Sequence, residues 1–352
     1  MLKVAILGGS GYTGIELLRI LSRHKSVKVE AVTSRQYKGR DVTEIFPSLR
    51  GFYDGLKFME PADFSGIDAG FFFCAMPHGS SMEAVPGLLK NGNRVVDLSA
   101  DFRIKQEKVY EEWYGAEHKA KGLLKDAVYG LPELYREKIK DAALVANPGC
   151  YPTGAILALA PLIKQGVIAA GSIVIDSKSG VSGAGRTPAL ETSFAEVTEG
   201  FRAYKVASHR HTPEMEEILG DICGKAVTVT FTPHLLPVER GILSTVYAGI
   251  KKPAKTPIKT PTKTNDLIES FSSFYRDEPF VRICPAGTLP NIRDVRGSNF
   301  CDIGLVKDER AGRVIAISAI DNLTKGASGQ AVQNMNIMCG FNETEALDVP
   351  PL

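Results

Sequence analysis

One cysteine in this sequence stands where a thiol could act as a nucleophile. Asn147-Pro148-Gly149-Cys150-Tyr151-Pro152-Thr153-Gly154 separates an apolar run, 142–146, from a mostly apolar run, 155–163. The first run reads as a strand and the second as a helix, with Pro148-Gly149 as the turn. Gly154 permits close backbone approach. A thiol at such a turn lies near a helix N-terminus, where the dipole and unpaired N–H groups favour the thiolate. Taken alone, the window fits a buried packing cysteine equally well. The stretch Ala207-Ser208-His209-Arg210-His211-Thr212-Pro213-Glu214 offers the partner. Imidazole titrates near neutrality, so His209 or His211 can deprotonate a thiol or act as acid to a developing oxyanion. Arg210 adds a clamp for carboxylate or phosphate. This spacing is not HExxH and the chain has no CxxC pair, so no metal is expected.

A second constellation opens the chain. Leu2–Leu7 reads as a strand, Gly8-Gly9-Ser10-Gly11-Tyr12-Thr13-Gly14 as a turn, and Ile15–Leu21 as a helix with an apolar face. Gly9, Gly11 and Gly14 satisfy GxGxxG, and Gly8, Gly11 and Gly14 satisfy the GxxGxxG spacing. Alone the motif is weak. Between strand and helix it has the context of a dinucleotide fingerprint, with the anion at the helix N-terminus. The next strand, Val27–Thr33, ends in Ser34-Arg35-Gln36-Tyr37-Lys38-Gly39-Arg40, with no acid to hold a ribose 2′-hydroxyl. A hydroxyl and a guanidinium there suit a 2′-phosphate, which favours NADP over NAD. The bland alternative is a solvated basic loop.

The remaining elements must carry these two sites. Asp68–Met76 is a nearly continuous apolar strand followed by Pro77-His78-Gly79-Ser80, and a helix spans Ser81–Lys90. Arg94–Leu98 is another strand, ending in Ser99-Ala100-Asp101-Phe102-Arg103. His78 and Ser99, at strand ends, either touch cofactor or brace their loops. Beyond Cys150, strand Ser172–Asp176 leads into a Gly/Ser/basic loop, 177–186, whose amides with Lys178 or Arg186 could hold an anion. Tyr129–Glu133 reads as a loop and Thr212 as the cap of a helix from Pro213. Strands are expected at 225–231, 242–250, 280–283, 299–306 and 314–319, with a helix at 266–274, making an α+β domain. Asp321–Gln330 leads into a last helix, 331–338. The predicted fold class is α/β: a Rossmann-type dinucleotide-binding domain plus an α+β catalytic domain with a mixed sheet.

Bulk properties narrow the class. At 352 residues, with 44% hydrophobic and 23% charged residues, two domains with substantial cores are expected. A net charge of +2 without a broad polybasic region points away from nucleic acid and membrane surfaces. The five lysines of Lys251–Lys263 lack aromatics and read as a solvated bend. Six scattered cysteines suit a reducing compartment. Without a signal peptide or an apolar run of ~18 residues, a cytoplasmic protein is expected.

Eight motifs together resemble one family, the N-acetyl-gamma-glutamyl-phosphate reductases of arginine biosynthesis, more distantly related to aspartate-semialdehyde dehydrogenase. They are GGSGYTG at 8–14, MPHG at 76–79, DLSADFR at 97–103, NPGCYPTG at 147–154, SGVSGAGR at 179–186, HRHTPE at 209–214, TPHLLPVERG at 232–241 and KGASGQAVQN at 325–334. They span nearly the whole chain. The resemblance implies domains at 1–149 (NADP-binding), 150–324 (catalytic and oligomerisation) and 325–352, a C-terminal helix returning to the first. It implies Cys150 as nucleophile, His209 as acid/base and a homo-oligomer, dimer or tetramer, acting on a small-molecule acyl phosphate. The expected cofactor residues are Gly8, Ser10, Gly11, Tyr12, Thr13, Gly14, Ser34, Arg35, His78, Ser99, Gly183, Asn322 and Gln330. The expected substrate residues are Arg103, Asn147, Ser179, Arg186, Arg210 and Glu214. The chemistry implied is a thioester on Cys150, reduced by NADPH to a semialdehyde.

Overall fold

The computed structural model describes residues 1–61, 66–251 and 263–352. The lysine-rich bend read at 251–263 lies almost wholly outside them. The chain divides into two compact units, Met1–Gly149 with Gly185–Thr187 and Ala327–Val349, and Cys150–Ala184 with Pro188–Gly326 and Pro350–Leu352. Three details depart from the expected boundaries: residues 185–187 belong to the first unit, and 325–326 and 350–352 to the second. Among the described residues, no helix is long and apolar enough to cross a membrane.

The first unit is built on seven strands, β1 (Leu2–Leu7), β2 (Val27–Thr33), β3 (Phe58–Met59), β4 (Phe71–Cys74), β5 (Arg94–Asp97), β6 (Val128–Tyr129) and β7 (Leu144–Ala146), in the order β3-β2-β1-β4-β5-β7-β6. Every pairing is parallel. That is why the central strand β4 is an apolar run without alternation: Phe71–Cys74 is buried throughout. This strand is shorter than the predicted Asp68–Met76 because its partners run out, β1 at Leu7 and β5 at Asp97. Strand order reverses between β1 and β4, which makes their C-terminal ends the expected ligand crevice of a doubly wound sheet.

The first helix spans Tyr12–Leu21, starting earlier than predicted because Gly11 already serves as its extended N-cap. Gly14 thereby falls in the first turn, where an added Cβ would lie 2.1 Å from the Gly9 carbonyl oxygen. Gly9 is equally confined, with Val32 Cγ2 at 2.2 Å from a Cβ position. A helix also begins at Pro132, where a loop was read, because proline with fixed φ suits the first helical turn. The last helix, Gly329–Cys339, is buried from Gly329 to Met338. Several of its polar groups tie it to the first unit: Asn336 Oδ1 meets His24 Nε2 at 2.9 Å, Asn334 Nδ2 donates to Gly130 O at 2.9 Å, and Arg94 donates to Met338 O.

The second unit carries β8 (Ile173–Gly180), β9 (Arg202–Ala203), β10 (Val229–Leu236), β11 (Ile242–Gly249), β12 (Val281–Ile283), β13 (Cys301–Asp308) and β14 (Arg313–Ile320). Their order is β12-β13-β14-β11-β8-β10-β9. The sheet is mixed, with β8–β10 and β12–β13 parallel and the rest antiparallel. Helix Cys150–Lys164, buried from Tyr151 to Ile163, packs on β11 and β14. Ser177–Gly180, read as loop, belongs to β8. The alternation was hidden because its buried face carries serines, and Ser177 Oγ is satisfied by Ser244 Oγ at 2.7 Å. Thr232–Leu236 is likewise strand. Thr212 is the first residue of helix Thr212–Cys223 and His211 its N-cap, so the expected threonine cap is absent. Between Pro188 and Ser208 the chain exposes Leu190, Phe194, Phe201 and Val206, and Glu199, Lys205 and Ala207 adopt positive φ.

Replacing Gly14 with Ala forces the helix off the turn. A loss of about 1–3 kcal/mol of stability is expected from overpacking, read as a lower urea midpoint at unchanged m-value; an unchanged midpoint would refute the close approach.

Candidate active site

Cys150 is the first residue of helix Cys150–Lys164 and is partly exposed, whereas Cys74 and Cys301 are buried. No acidic side chain occupies that helix's first turn, so its positive end is left to the thiol. Burial pushes the thiols of Cys74 and Cys339 up, the latter to about 11, which keeps them protonated. Two glycines set the helix. An added Cβ at Gly154 would lie 2.9 Å from Ser318 Oγ, and one at Gly326 would lie 2.9 Å from Cys150 Cβ.

Around the thiol stands an aromatic cluster that the sequence reading missed. The hydroxyls of Tyr151 and Tyr204 are 2.8 Å apart. Burial pushes Tyr204 up to about 12, and burial, Tyr204 and the charge of Cys150 hold Tyr151 neutral. Ser179, buried on β8, hydrogen-bonds the Tyr151 hydroxyl. The only signals in the sequence were adjacency, since Tyr151 follows Cys150 and Tyr204 precedes His209 by five positions.

His209 packs edge-on against Tyr151 at 5.4 Å between ring centroids, and against Tyr204 at 5.7 Å and Phe231 at 5.3 Å. Burial first, then the charges of Lys205 and Arg210, push its pKa down to about 4. Its Nδ1 accepts the backbone N–H of His211 at 3.1 Å. A neutral ring with that nitrogen accepting carries its proton on Nε2, so it presents a donor. His211 packs beside it at 4.8 Å. Arg210 is exposed, and Glu214 is fully buried in the first turn of its helix.

In the first unit, Gly8, Ser10, Gly11, Tyr12, Thr13, Gly14, Ser34 and Arg35 come together at the ends of β1 and β2. Gly8, at φ +82°, donates to Thr33 Oγ1 at 3.0 Å, and Ser34 Oγ donates to Ser10 Oγ at 2.9 Å. Nothing lies within 4 Å of a Cβ built on Gly11, and the helix start has no side-chain cap and no acid. Free N–H groups facing open space suit a pyrophosphate. Gln330 is brought to the same region by Ser328, whose hydroxyl donates to Thr13 O at 2.9 Å. Among the described residues the buried Gln330 Oε1 has no hydrogen-bond partner, which fits an amide that contacts a cofactor. His78 Nδ1 accepts from Ala100 N at 3.0 Å, leaving Nε2 to donate.

Other residues expected at the ligands have partners within the protein. Ser99 gives its proton to Asp97 at 2.7 Å and accepts from Asp101 N at 3.1 Å, while burial and Asp101 push the Asp97 carboxyl up to about 6. Asn147 donates to Ala327 O at 3.0 Å and accepts from Asn334 Nδ2 at 3.1 Å, so its amide ties the last helix to β7. Arg103 is buried and clamps Asn147 O at 2.7 Å and Leu98 O at 2.8 Å. Asn322 accepts from Gly241 N at 2.8 Å and donates to Ser182 Oγ at 2.9 Å, with Gly183 beside it in the second unit. Lys178 is ion-paired to Asp176 at 2.5 Å. Arg186 joins the first unit, donating to Ser10 O at 2.9 Å. Its contacts are those of the glycine turn, not of the thiol. Among the described residues, no group of three or more His, Cys, Asp or Glu could hold a metal.

A parallel sheet with an anion-ready glycine turn, followed by a mixed-sheet unit opening on a cysteine, defines a semialdehyde-dehydrogenase type of oxidoreductase. Residues 3–142 match the family described as semialdehyde dehydrogenase, NAD binding domain, and 150–322 match semialdehyde dehydrogenase, dimerisation domain. The fold is similar to aspartate semialdehyde dehydrogenase II from Vibrio cholerae complexed with ASA, at TM-score 0.72 and 17% identity over 97% of this chain and 98% of that one. It is also similar to aspartate semialdehyde dehydrogenase with NADP from Candida albicans, at TM-score 0.68 and 14% identity over 96% and 98%. The N-acetyl-gamma-glutamyl-phosphate reductase of Pelotomaculum thermopropionicum is 54% identical over 99% of both chains. That of Geobacter sulfurreducens is 54% identical over 99% of this chain and 98% of its own. The chain belongs to the N-acetyl-gamma-glutamyl-phosphate reductase family.

The depressed His209 pKa has a direct test. As pH falls, the unfolded chain takes up this proton first, near 6.5, and the folded ring only near 4. Stability contributed by the neutral ring is therefore full above about 6.5 and declines toward 4. In NMR titration the His209 ring is expected to stay neutral through pH 6, and Lys205→Ala is expected to raise its pKa. A ring titrating at 6.5 in the native protein would refute this environment.

Proposed function

We propose that this protein reduces N-acetyl-L-glutamyl 5-phosphate with NADPH, giving N-acetyl-L-glutamate 5-semialdehyde and phosphate through a thioester on Cys150, a step of arginine biosynthesis. The observation that carries the reading is a partly exposed thiol at a helix N-terminus, followed by a tyrosine that packs on a neutral histidine, in a chain 54% identical to named reductases of that substrate. The Cys150 thiolate attacks the acyl-phosphate carbonyl, the carbon–oxygen bond to phosphate breaks, and phosphate leaves. N–H groups of the helix after Cys150 and the Nε2–H of His209 can donate to the oxyanion. NADPH, which the Gly8–Gly14 turn with Ser34, Arg35 and Gln330 would hold, would supply the hydride that reduces the thioester carbonyl. Collapse of the tetrahedral centre breaks the C–S bond, releasing the aldehyde and returning the thiolate.

The geometry revises one role. His209 was expected to help form the thiolate. With Nδ1 accepting from the His211 backbone, the neutral ring is better suited to donate, and the helix terminus favours the thiolate instead. The cofactor fit rests on the open Gly11 turn, the uncapped helix start and the unpaired Gln330 Oε1. The acid-free end of β2 supports NADP. A homo-oligomer, dimer or tetramer, and a cytoplasmic location belong to the same proposal. Arg210 and Glu214 are proposed as substrate-side contacts.

The decisive assay runs in reverse, with NADP, inorganic phosphate and a panel of semialdehydes including the aspartyl and aminoadipyl compounds. Turnover is expected on N-acetyl-L-glutamate 5-semialdehyde, and Cys150→Ser is expected to lower kcat by roughly 10³ or more. Activity confined to another aldehyde overturns the substrate; a retained rate in Cys150→Ser overturns the thioester.

A further inference from the structure

Arg186 was expected to grip substrate, yet its surroundings are those of the nucleotide turn. Residues 185–187 join the first unit, and Gly185, at φ +90°, makes the bend that takes them there. The guanidinium donates from Nη1 to Ser10 O at 2.9 Å. Its Cζ lies 4.9 Å from the Phe46 ring centroid and 5.7 Å from that of Tyr37. Stacking on aromatic faces holds the planar fork in a fixed orientation, and only one of its five N–H bonds is spent on Ser10.

The charge stays available as well. Of the other cations here, Lys38 pairs with Glu60 at 3.7 Å and Arg40 with Glu44 at 3.0 Å. Among the described residues Arg186 faces a neutral carbonyl and two rings and forms no ion pair. Ser10, to which it is bound, also accepts the hydroxyl of Ser34, the residue directly after β2. In a parallel sheet of this winding, the end of the second strand is where the ribose 2′ position is read.

We propose that Arg186 is a specificity residue for the 2′-phosphate of the cofactor, acting with Ser34 and Arg35. This rests on the NADP reading above. It places the residue on the cofactor and not on the acyl phosphate. An arginine arriving from a distant part of the sequence adds a second planar fork to that of Arg35, held in a fixed orientation by Phe46 and Tyr37.

The test is equilibrium binding without substrate, with NADPH and NADH each titrated against wild type, Arg186→Ala and Arg186→Lys. Wild type is expected to prefer NADPH. Arg186→Ala is expected to weaken NADPH by about 10- to 100-fold and NADH by less than about threefold. Arg186→Lys, keeping charge without the fork, is expected to fall between. Retained NADH binding in Arg186→Ala reports an intact glycine turn. Equal weakening of both nucleotides would make Arg186 a brace for Ser10 and overturn the proposal. So would unchanged NADPH binding with a raised KM for the acyl phosphate. A wild type with no preference for NADPH would remove the NADP reading first; a wild-type preference that survives Arg186→Ala removes only this inference.

Discussion

The chemistry of the second unit depends on one spatial constraint, the absence of room between Gly326 and Cys150. A side chain at 326 would meet the Cβ of the cysteine at 2.9 Å, closer than real Cβ contacts allow. Cys150 is held there by helix Cys150–Lys164, which in turn sits on β14 at Gly154. The π-helical turn Thr324–Ser328 carries Gly326, and such turns are departures from regular helix that recur at functional sites. The thiol is thus positioned by backbone packing, with Tyr151 and Tyr204 close enough to feel its charge. Burial holds both hydroxyls and the His209 ring uncharged at neutral pH.

The legible parts of the sequence were those where one physical demand dominates. A strand buried on both faces must be apolar, and Phe71–Cys74 could be little else. A turn with glycines at 8, 9, 11 and 14 between such a strand and a helix has few other uses. Where two demands compete, the sequence is mute. β8 buries Ser177 and Ser179, which look like loop residues until Ser244 is seen across the sheet. Asn147 and Arg103 carry groups that fit a ligand equally well, and only the structure shows them spent on Ala327, Asn334 and backbone carbonyls. Arg186 shows the opposite limit: position in sequence does not reveal that residues 185–187 belong to the other unit, where its guanidinium meets Ser10 O.

Histidine chemistry shows the same limit. The sequence left His209 and His211 as alternative partners for a cysteine. What sets the tautomer of His209 is a backbone bond, His211 N to His209 Nδ1, created by the tight turn that ends at the N-cap of helix Thr212–Cys223. The approach to that turn is strained, with Lys205 and Ala207 at positive φ and aliphatic and aromatic side chains exposed beside them.

The buried helix Gly329–Cys339 has a consequence for the order in which the protein can be made. It belongs to the unit that begins at Met1, through bonds to His24, Gly130 and Asn147. Gly149 and Val349 are 200 positions apart. At ~5–20 residues per second, the ribosome finishes the first unit's last piece roughly 10–40 s after its first. During that interval the faces of the first helix, of helix Pro132–Lys140 and of β5 that pack on the last helix wait without their cover, while the second unit, made in between, has already emerged almost whole. The unit encoded first stays open until almost the end of the chain.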